Sequence, residues 1–443
     1  MTLFLRNLSL LLPRWLLLYL LTTLPLVPQK AQAWGEPHLA ITKAALETLP
    51  PWQKDWLGAE FAALGDNYCL IPDHVYTDIE NGKFARMESE PGVVYLRRLH
   101  VPSPEQPENL ETFRYFMGKA VAALQAGEVG NAARYMGTVC HTIEDFGSPA
   151  HTVPGDNMFT LLQQFMPPPE KKKGKLLHSL IENGDLKVGI AGYQPRLLGD
   201  TVEEASWRLL HRVHGAILNA RSTTIPIIQA LYAEDTATVK THQLKAATVD
   251  AQVAADAVYT MLCLGAGKFD EREREALRTA GITWYFPVEA VSLFYPQTHF
   301  SGSPNWGHAQ SGVVLEGGTE ERPLKLRFPE KDTAVAREFT EGISPSMGKP
   351  LTYLLPAGVF HYFTVQAGLH PELGAKGKVE FSISSEGRIL ASATVSGSDS
   401  AQTLECDITG VTRLQLNAVA RGSDPKSNYA IWAEPILSKR PKQ

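Results

Sequence analysis

The sequence predicts two folded parts in one chain, an all-α domain followed by an all-β sandwich. Two observations carry this. Between residues 34 and 265 apolar side chains recur at three- and four-residue intervals, the helical period. From about Ala290 the period falls to two and turn signals become frequent, the texture of short strands. The 443-residue length also suits two domains once a leader is set aside.

The leader is expected over residues 1–33. Arg6 and Arg14 precede an apolar run from Trp15 to Val27, and Ala31-Gln32-Ala33 offers small residues for a signal peptidase. The apolar run is too short for a spanning helix, which needs about 20 residues. Cleavage after Ala33 would make the protein secreted or periplasmic, with Trp34 as the new N-terminus. Removing Arg6, Arg14 and Lys30 leaves 39 basic against 47 acidic side chains, a formal charge of −8. A mildly acidic chain is not built as a general polyanion binder, so no stable nucleic-acid partner is expected. Four cysteines, Cys69, Cys140, Cys263 and Cys406, do not make a disulfide-built scaffold, and their pairing cannot be read from sequence. Cys140 reads as a small core residue.

In the first part, Leu110 to Ala126 and Val129 to Phe146 read as helices, with Gly127 as the stop signal between them. Val202 to Ala220 and Thr248 to Leu264 read as two more. Met158 to Lys175 looks irregular, with Pro167-Pro168-Pro169 and then Lys171-Lys172-Lys173-Gly174-Lys175. That basic run reads as a solvated loop, with contact to an anionic lipid surface as the sharper alternative. Residues 266–287 read as a linker. In the second part, Lys378 to Ile383 alternates cleanly, Ser385-Glu386-Gly387 makes a turn, and Ile389 to Val395 follows as the next strand. Leu414 and Leu416 alternate again. The sandwich is expected over 288–438.

The stretch His141-Thr-Ile-Glu-Asp145-Phe-Gly-Ser-Pro-Ala-His151 holds the densest chemistry. Positions i and i+4 share a helix face, so His141 and Asp145 can grip one ion. Gly147 and Pro149 interrupt the helix and turn His151 elsewhere, toward a second ion. Imidazole with carboxylate suits zinc. His178 and Glu182 form another i,i+4 pair. Asp66 lies in Leu64-Gly65-Asp66-Asn67-Tyr68, His100 in Arg98-Leu99-His100-Val101-Pro102, and His38 in Trp34-Gly35-Glu36-Pro37-His38. His74 competes with His100, because His74 and Asp78 are also spaced i,i+4. His211 and His214 read as surface residues.

Taken in order, terminal Trp, His, Asp, His, His-x3-Asp-x5-His and His-x3-Glu, this set resembles the bacterial zinc-dependent phospholipase C family and the related fungal zinc-dependent single-strand nucleases. The resemblance covers 34–265. It implies an all-α fold with three zinc ions. Asp66, His100, His141 and Asp145 would hold one, and His151, His178 and Glu182 a second. Trp34, through its α-amine and carbonyl, and His38 would hold the third, with Asp145 bridging. Asp66 would also be the general base for water attacking a phosphodiester, and Glu36 a weaker contact to substrate.

The implied activity is a phospholipase C releasing diacylglycerol and a phosphorylated head group. Glu182 favours the phospholipase form. The short gap from Trp34 to His38 is nearer the pattern of the nucleases, which remain the alternative.

Gly342-Ile343-Ser344-Pro345-Ser346, Phe363 to Gly368, Gly377 to Phe381 and Asn428 to Ala433 resemble the NPCBM domain, a carbohydrate-binding module with a galactose-binding-like sandwich. That implies a glycan ligand. Asn428-Tyr429 stands where the family often has Asp-His, so a ligand contact there is in doubt. Trp306 and Trp432 read as core. A non-catalytic glycan- or surface-binding chain is the remaining alternative.

An α-amine binds zinc only when it is free, because an amide nitrogen is a poor ligand. The chain cut after Ala33 is therefore expected to bind one more zinc than the uncut precursor, and equal zinc content by metal analysis would contradict this.

Overall fold

The structure, a computed structural model, describes residues 35–74, 107–152, 157–166, 176–285, 287, 309–330 and 333–440. The expectations on the leader, Trp34, the Glu36 side chain, His100, Trp306 and the 171–175 lysine run fall outside the described residues.

The helical region comprises α1 (Gly35–Glu47), α2 (Pro51–Leu57), α3 (Glu60–Asp66), a 3-10 turn (Tyr68–Leu70), α4 (Pro107–Gln125), α5 (Val129–Gly147), α6 (Asn157–Phe165), α7 (Leu177–Glu182), α8 (Val202–Tyr232), α9 (Thr236–Ala266) and α10 (Glu271–Ala276). Helix α5 is the hub. Residues Tyr135 through Gly147 are buried without interruption, so the helix is enclosed by its neighbours rather than half-exposed. Helices α1, α4, α8 and α9 and the 3-10 turn pack around it. All four cysteines are buried free thiols, Cys140 among them.

Three helices exceed or contradict the periodicity reading. Helix α8 is capped by Thr201, whose hydroxyl accepts from Glu204 N, and Glu203 and Glu204 complement its N-terminal dipole. It continues past Ala220 and through Pro226, because Ile227, Ile228 and Leu231 bury against Phe159, Leu177 and Ile181. Helix α9 starts twelve residues before Thr248, capped by Asp235 through Thr238 N. Residues 158–165, the start of the stretch expected to be irregular, belong to α6, which seals Phe159 into the same cluster.

The β region contains β1 (Thr279–Gly281), β2 (Gln310–Ser311), β3 (Val313–Glu316), β4 (Glu320–Glu330), β5 (Thr333–Phe339), β6 (Gly342–Ser344), β7 (Leu351–Leu354), β8 (Tyr362–Leu369), β9 (Lys378–Ser385), β10 (Arg388–Ser396), β11 (Gln402–Asp407), β12 (Arg413–Ala420) and β13 (Ala430–Ser438). One sheet runs β11-β8-β13-β6-β2 with β1 on β13, a second runs β10-β9-β12-β7, and β3-β4-β5 form a third. Strand β9 buries every second residue, Val379, Phe381 and Ile383, against the core. Trp432 is fully buried, edge-on to Phe381 at 4.9 Å, as expected of a core residue. Asn428 is also buried, and its Oδ1 accepts from Lys378 N, so it serves the framework.

The expected linker at 266–287 is not one. It holds α10 and β1, and β1 pairs with β13 from Thr279–Ser438 to Gly281–Ile436. Tyr259 Oη donates to Glu273 on α10, and Leu197 N donates to the same carboxylate. Helical and β regions are further joined by Trp207, whose Nε1 donates to Leu354 O at 2.7 Å, and by Lys439, whose ammonium meets Glu204 at 2.7 Å. This junction also corrects the two histidines expected at the surface. His214 is buried, and His211 lies half-buried, stacked on Tyr285 with ring centroids 3.8 Å apart. Burial, then His214 and Arg208, lowers the His211 pKa well below the usual range.

Trp207→Phe removes the Nε1 donor together with the five-membered ring of the buried indole, leaving the Leu354 carbonyl without that bond and a cavity beside it. It is expected to cost about 1–3 kcal/mol, read as a lower urea midpoint; an unchanged midpoint would contradict the assigned bond.

Candidate metal centre

Helix α5 presents His141 and Asp145 one turn apart, and His38 on α1 faces both. The two imidazoles stack with centroids 4.1 Å apart. His38 Nε2 lies 3.6 Å from Asp145 Oδ1, and His141 Nε2 lies 3.3 Å from Asp145 Oδ2. One ligand atom from each of the three falls within 4.8 Å of the others, and all three residues are buried.

The opposite ring nitrogens are tied down. His38 Nδ1 is 2.6 Å from Glu144 Oε2, and Glu144 also accepts from Thr42 Oγ1 at 2.6 Å. His141 Nδ1 is 2.7 Å from Cys69 O. A carbonyl can only accept, so His141 donates from Nδ1, and its Nε2 is the nitrogen turned toward Asp145. Imidazoles fixed by a carboxylate or carbonyl on the far nitrogen are the usual pattern of metal ligands. The sequence arranges this locally. Gly137 lies against Tyr68, where a Cβ would come within 2.5 Å of the Tyr68 carbonyl group, so a larger residue would push the 68–70 turn off α5. That contact holds Cys69 O over His141, one turn along.

The second group forms beyond the end of α5. The chain turns at Ser148 and Pro149, and His151 N donates to Ser148 O at 3.0 Å. His151 Nε2 then meets Glu182 Oε1 at 2.6 Å, and His178 Nε2 meets the same oxygen at 3.0 Å. Phe159 stands edge-on to His178 at 6.0 Å, one wall of the site. Glu182 Oε2 is buried with no hydrogen-bond partner among the described residues.

Asp66 does not join either group. Its side chain is 57% exposed and pairs with Lys43 at the end of α3. The acid the structure brings in instead is Asp73, 9% exposed, with Oδ1 3.9 Å from His141 Nε2 and Oδ2 lacking a hydrogen-bond partner among the described residues. The Asp66 expectation is corrected on geometry: α3 ends there with its carboxylate facing outward, and the 3-10 turn carries the chain inward to Asp73. The one sequence signal for Asp73 is its place in Ile71-Pro72-Asp73-His74, a stretch in which His74 drew attention instead. The residues gathered here are therefore His38, Asp73, His141, Asp145, His151, His178 and Glu182.

The electrostatics follow from the crowding of acids. Burial alone would push His141 down, but Asp145 and Asp73 reverse this and raise it to about 10. For His151 burial also pushes down, and Asp145 with Glu182 raises it to about 9. Glu182 would be raised by burial and is instead lowered by His151 and His178. Nitrogen and carboxylate donors at these spacings fit zinc. Glu182 Oε2 and Asp73 Oδ2, both buried with no hydrogen-bond partner among the described residues, are oxygens that a divalent cation would satisfy.

Residues 300–438 match the NPCBM/NEW2 domain. No curated protein matches the chain. Among solved structures, the CBM51 module of Clostridium perfringens GH95, in complex with methyl-galactose, aligns over 36% of this chain and 99% of that one, at 15% identity and TM-score 0.29. The M60 catalytic domain with two CBM51 domains from Clostridium perfringens ZmpB aligns over 30% of this chain and only 14% of that one, at 17% identity and TM-score 0.24. Alpha-toxin of Clostridium perfringens, from an avian strain, aligns over 93% of this chain and 88% of that one, at 12% identity and TM-score 0.34.

In the metal-free protein both histidine pKa values are raised above the unfolded value of about 6.5. Their stabilisation is thus full below about pH 6.5 and is lost as pH rises through 9–10. Zinc must displace those protons. Calorimetric titration at pH 7.5 in buffers of differing ionisation enthalpy should show net proton release on zinc binding, and binding without proton release would contradict the assignment.

Proposed function

We propose that this chain is a secreted zinc-dependent phosphodiester hydrolase whose substrate is phospholipid, cleaved on the phospholipase C side. The observation that carries the reading is the pair of buried imidazole–carboxylate groups at the end of α5, with His38 and His141 held by their outer nitrogens so that both Nε2 atoms face inward. Zinc ions bound there would polarise a phosphodiester and lower the pKa of an attacking water. His38, His141, Asp145 and Asp73 would hold one side of that centre, with Trp34 and His100 as further ligands, and His151, His178 and Glu182 the other. Three ions remain the expected number. Asp73 takes over the general-base role first given to Asp66, because its Oδ1 lies 3.9 Å from His141 Nε2 and its Oδ2 has no hydrogen-bond partner among the described residues.

A lipid substrate is supported by α6. Phe159 turns inward to His178, while Leu161, Phe165 and Met166 stand in water, Phe165 at 82% exposure. An apolar ridge on the helix that walls the site suits the surface of a lipid aggregate. The single-strand nuclease reading keeps one point in its favour, the short gap from Trp34 to His38. The NPCBM/NEW2 domain would tether the enzyme to glycan-bearing surfaces and raise the local concentration of substrate.

The purified protein should hydrolyse phosphatidylcholine micelles and leave single-stranded DNA intact. Leu161→Ser with Phe165→Ser should lower turnover of micelles at least about tenfold while sparing a soluble short-chain phosphodiester. Turnover of DNA alone would overturn the lipid reading.

A further inference from the structure

Asp250 lies midway along α9, fully buried, where that helix crosses the end of α5. Its carboxylate presses against Gly147, two residues past Asp145. A Cβ at Gly147 would sit 1.6 Å from Asp250 Oδ1 and 2.2 Å from its Cγ, so a larger residue at 147 would have to displace that carboxylate. Neither oxygen has a hydrogen-bond partner among the described residues. The charges acting on it are of its own sign. Burial first, then the Glu144 and Asp145 carboxylates, hold its pKa well above the usual range.

A buried carboxylate of this kind is costly in either protonation state. Ionised, it has no cation among the described residues to offset it, and its neighbours repel it. Neutral, its hydroxyl still needs an acceptor within hydrogen-bond distance, and none is present among the described residues. Asparagine would fill the same space without the charge. Two observations tie Asp250 to the His38–His141–Asp145 group: it lies against Gly147, two residues past Asp145, and Glu144 and Asp145 are the charges that act on it.

We propose that Asp250 is a charge-balancing and positioning residue for a divalent cation held by His38, His141 and Asp145, and that Gly147 is glycine in order to admit it. This rests on the reading of that group as a cation site. Glu144 is already engaged by His38 Nδ1 and Thr42, so it orients the imidazole, and Asp250 supplies the carboxylate that no protein donor claims.

The test is zinc titration of the full chain against a competing chromophoric chelator, with His178→Ala marking which site is which. Asp250→Asn should weaken zinc at the His38 group at least about tenfold, the scale seen when a group supporting a ligand is lost. The His151–His178–Glu182 site should be unchanged. In metal-free protein Asp250→Asn should melt no lower than the parent, because the uncompensated carboxylate is gone. Zinc affinity equal to the parent at both sites, together with a lower metal-free melting temperature, would mean a purely structural role and overturn the proposal. Should the Asn variant fail to fold, Asp250→Ala carries the same expectation. A parent chain that binds no zinc at the His38 group overturns the cation reading itself, which is a different result from a parent that binds and a variant that binds equally.

Discussion

The architecture depends on how α5 meets the polar groups it carries into the core. This helix is enclosed through its C-terminal half, yet it brings His141, Glu144 and Asp145 with it. Such residues are tolerated inside a protein only when every donor and acceptor is answered and the charge is balanced. The chain answers part of this itself. Cys69 O fixes His141, and His38 with Thr42 fixes Glu144. Asp250 adds a buried carboxylate with no hydrogen-bond partner among the described residues, a charge that a cation would balance. Helix α1 supplies His38 and Thr42, the 68–70 turn supplies Cys69 O, and α5 admits the turn and α9 closely at Gly137 and Gly147.

The fold class was legible because each part repeats its own period. Helical spacing from α4 to α9 and strict alternation in β9 come from burial of one face, and burial is written in the order of apolar residues. The boundaries were less legible where burial comes from distant partners. Residues 157–165 carry two glutamines and border a proline run, yet they form α6 because Phe159 finds Leu177 and Ile227. The stretch 266–287 looked like a linker because it is charged. Its β1 strand is defined by pairing with β13, more than 150 residues away, and nothing local signals it.

The candidate site was legible where ligands share a helix. His141 with Asp145 and His178 with Glu182 follow from the i,i+4 rule, and the structure brings each pair together. Asp66 and Asp73 show where that rule stops. Both are acids near the end of α3, and choosing between them requires the path of the 3-10 turn, which no periodicity encodes. Asp250 was out of reach for the same reason. In sequence it is one polar residue in an alanine-rich helix, and it acquires meaning only when Gly147 is found against it. His211 and His214 erred in the other direction, because a polar-looking helical stretch is covered by the β region through Trp207, Tyr285 and Leu354.

The proposed zinc centre at the end of α5 is built from two separate groups of residues. Anomalous diffraction recorded on either side of the zinc edge, from crystals of the full chain grown with zinc, addresses it directly. Anomalous peaks are expected bounded by His38, His141 and Asp145 and by His151, His178 and Glu182. Crystals with zinc in the surrounding solution and no peak at either group would contradict it.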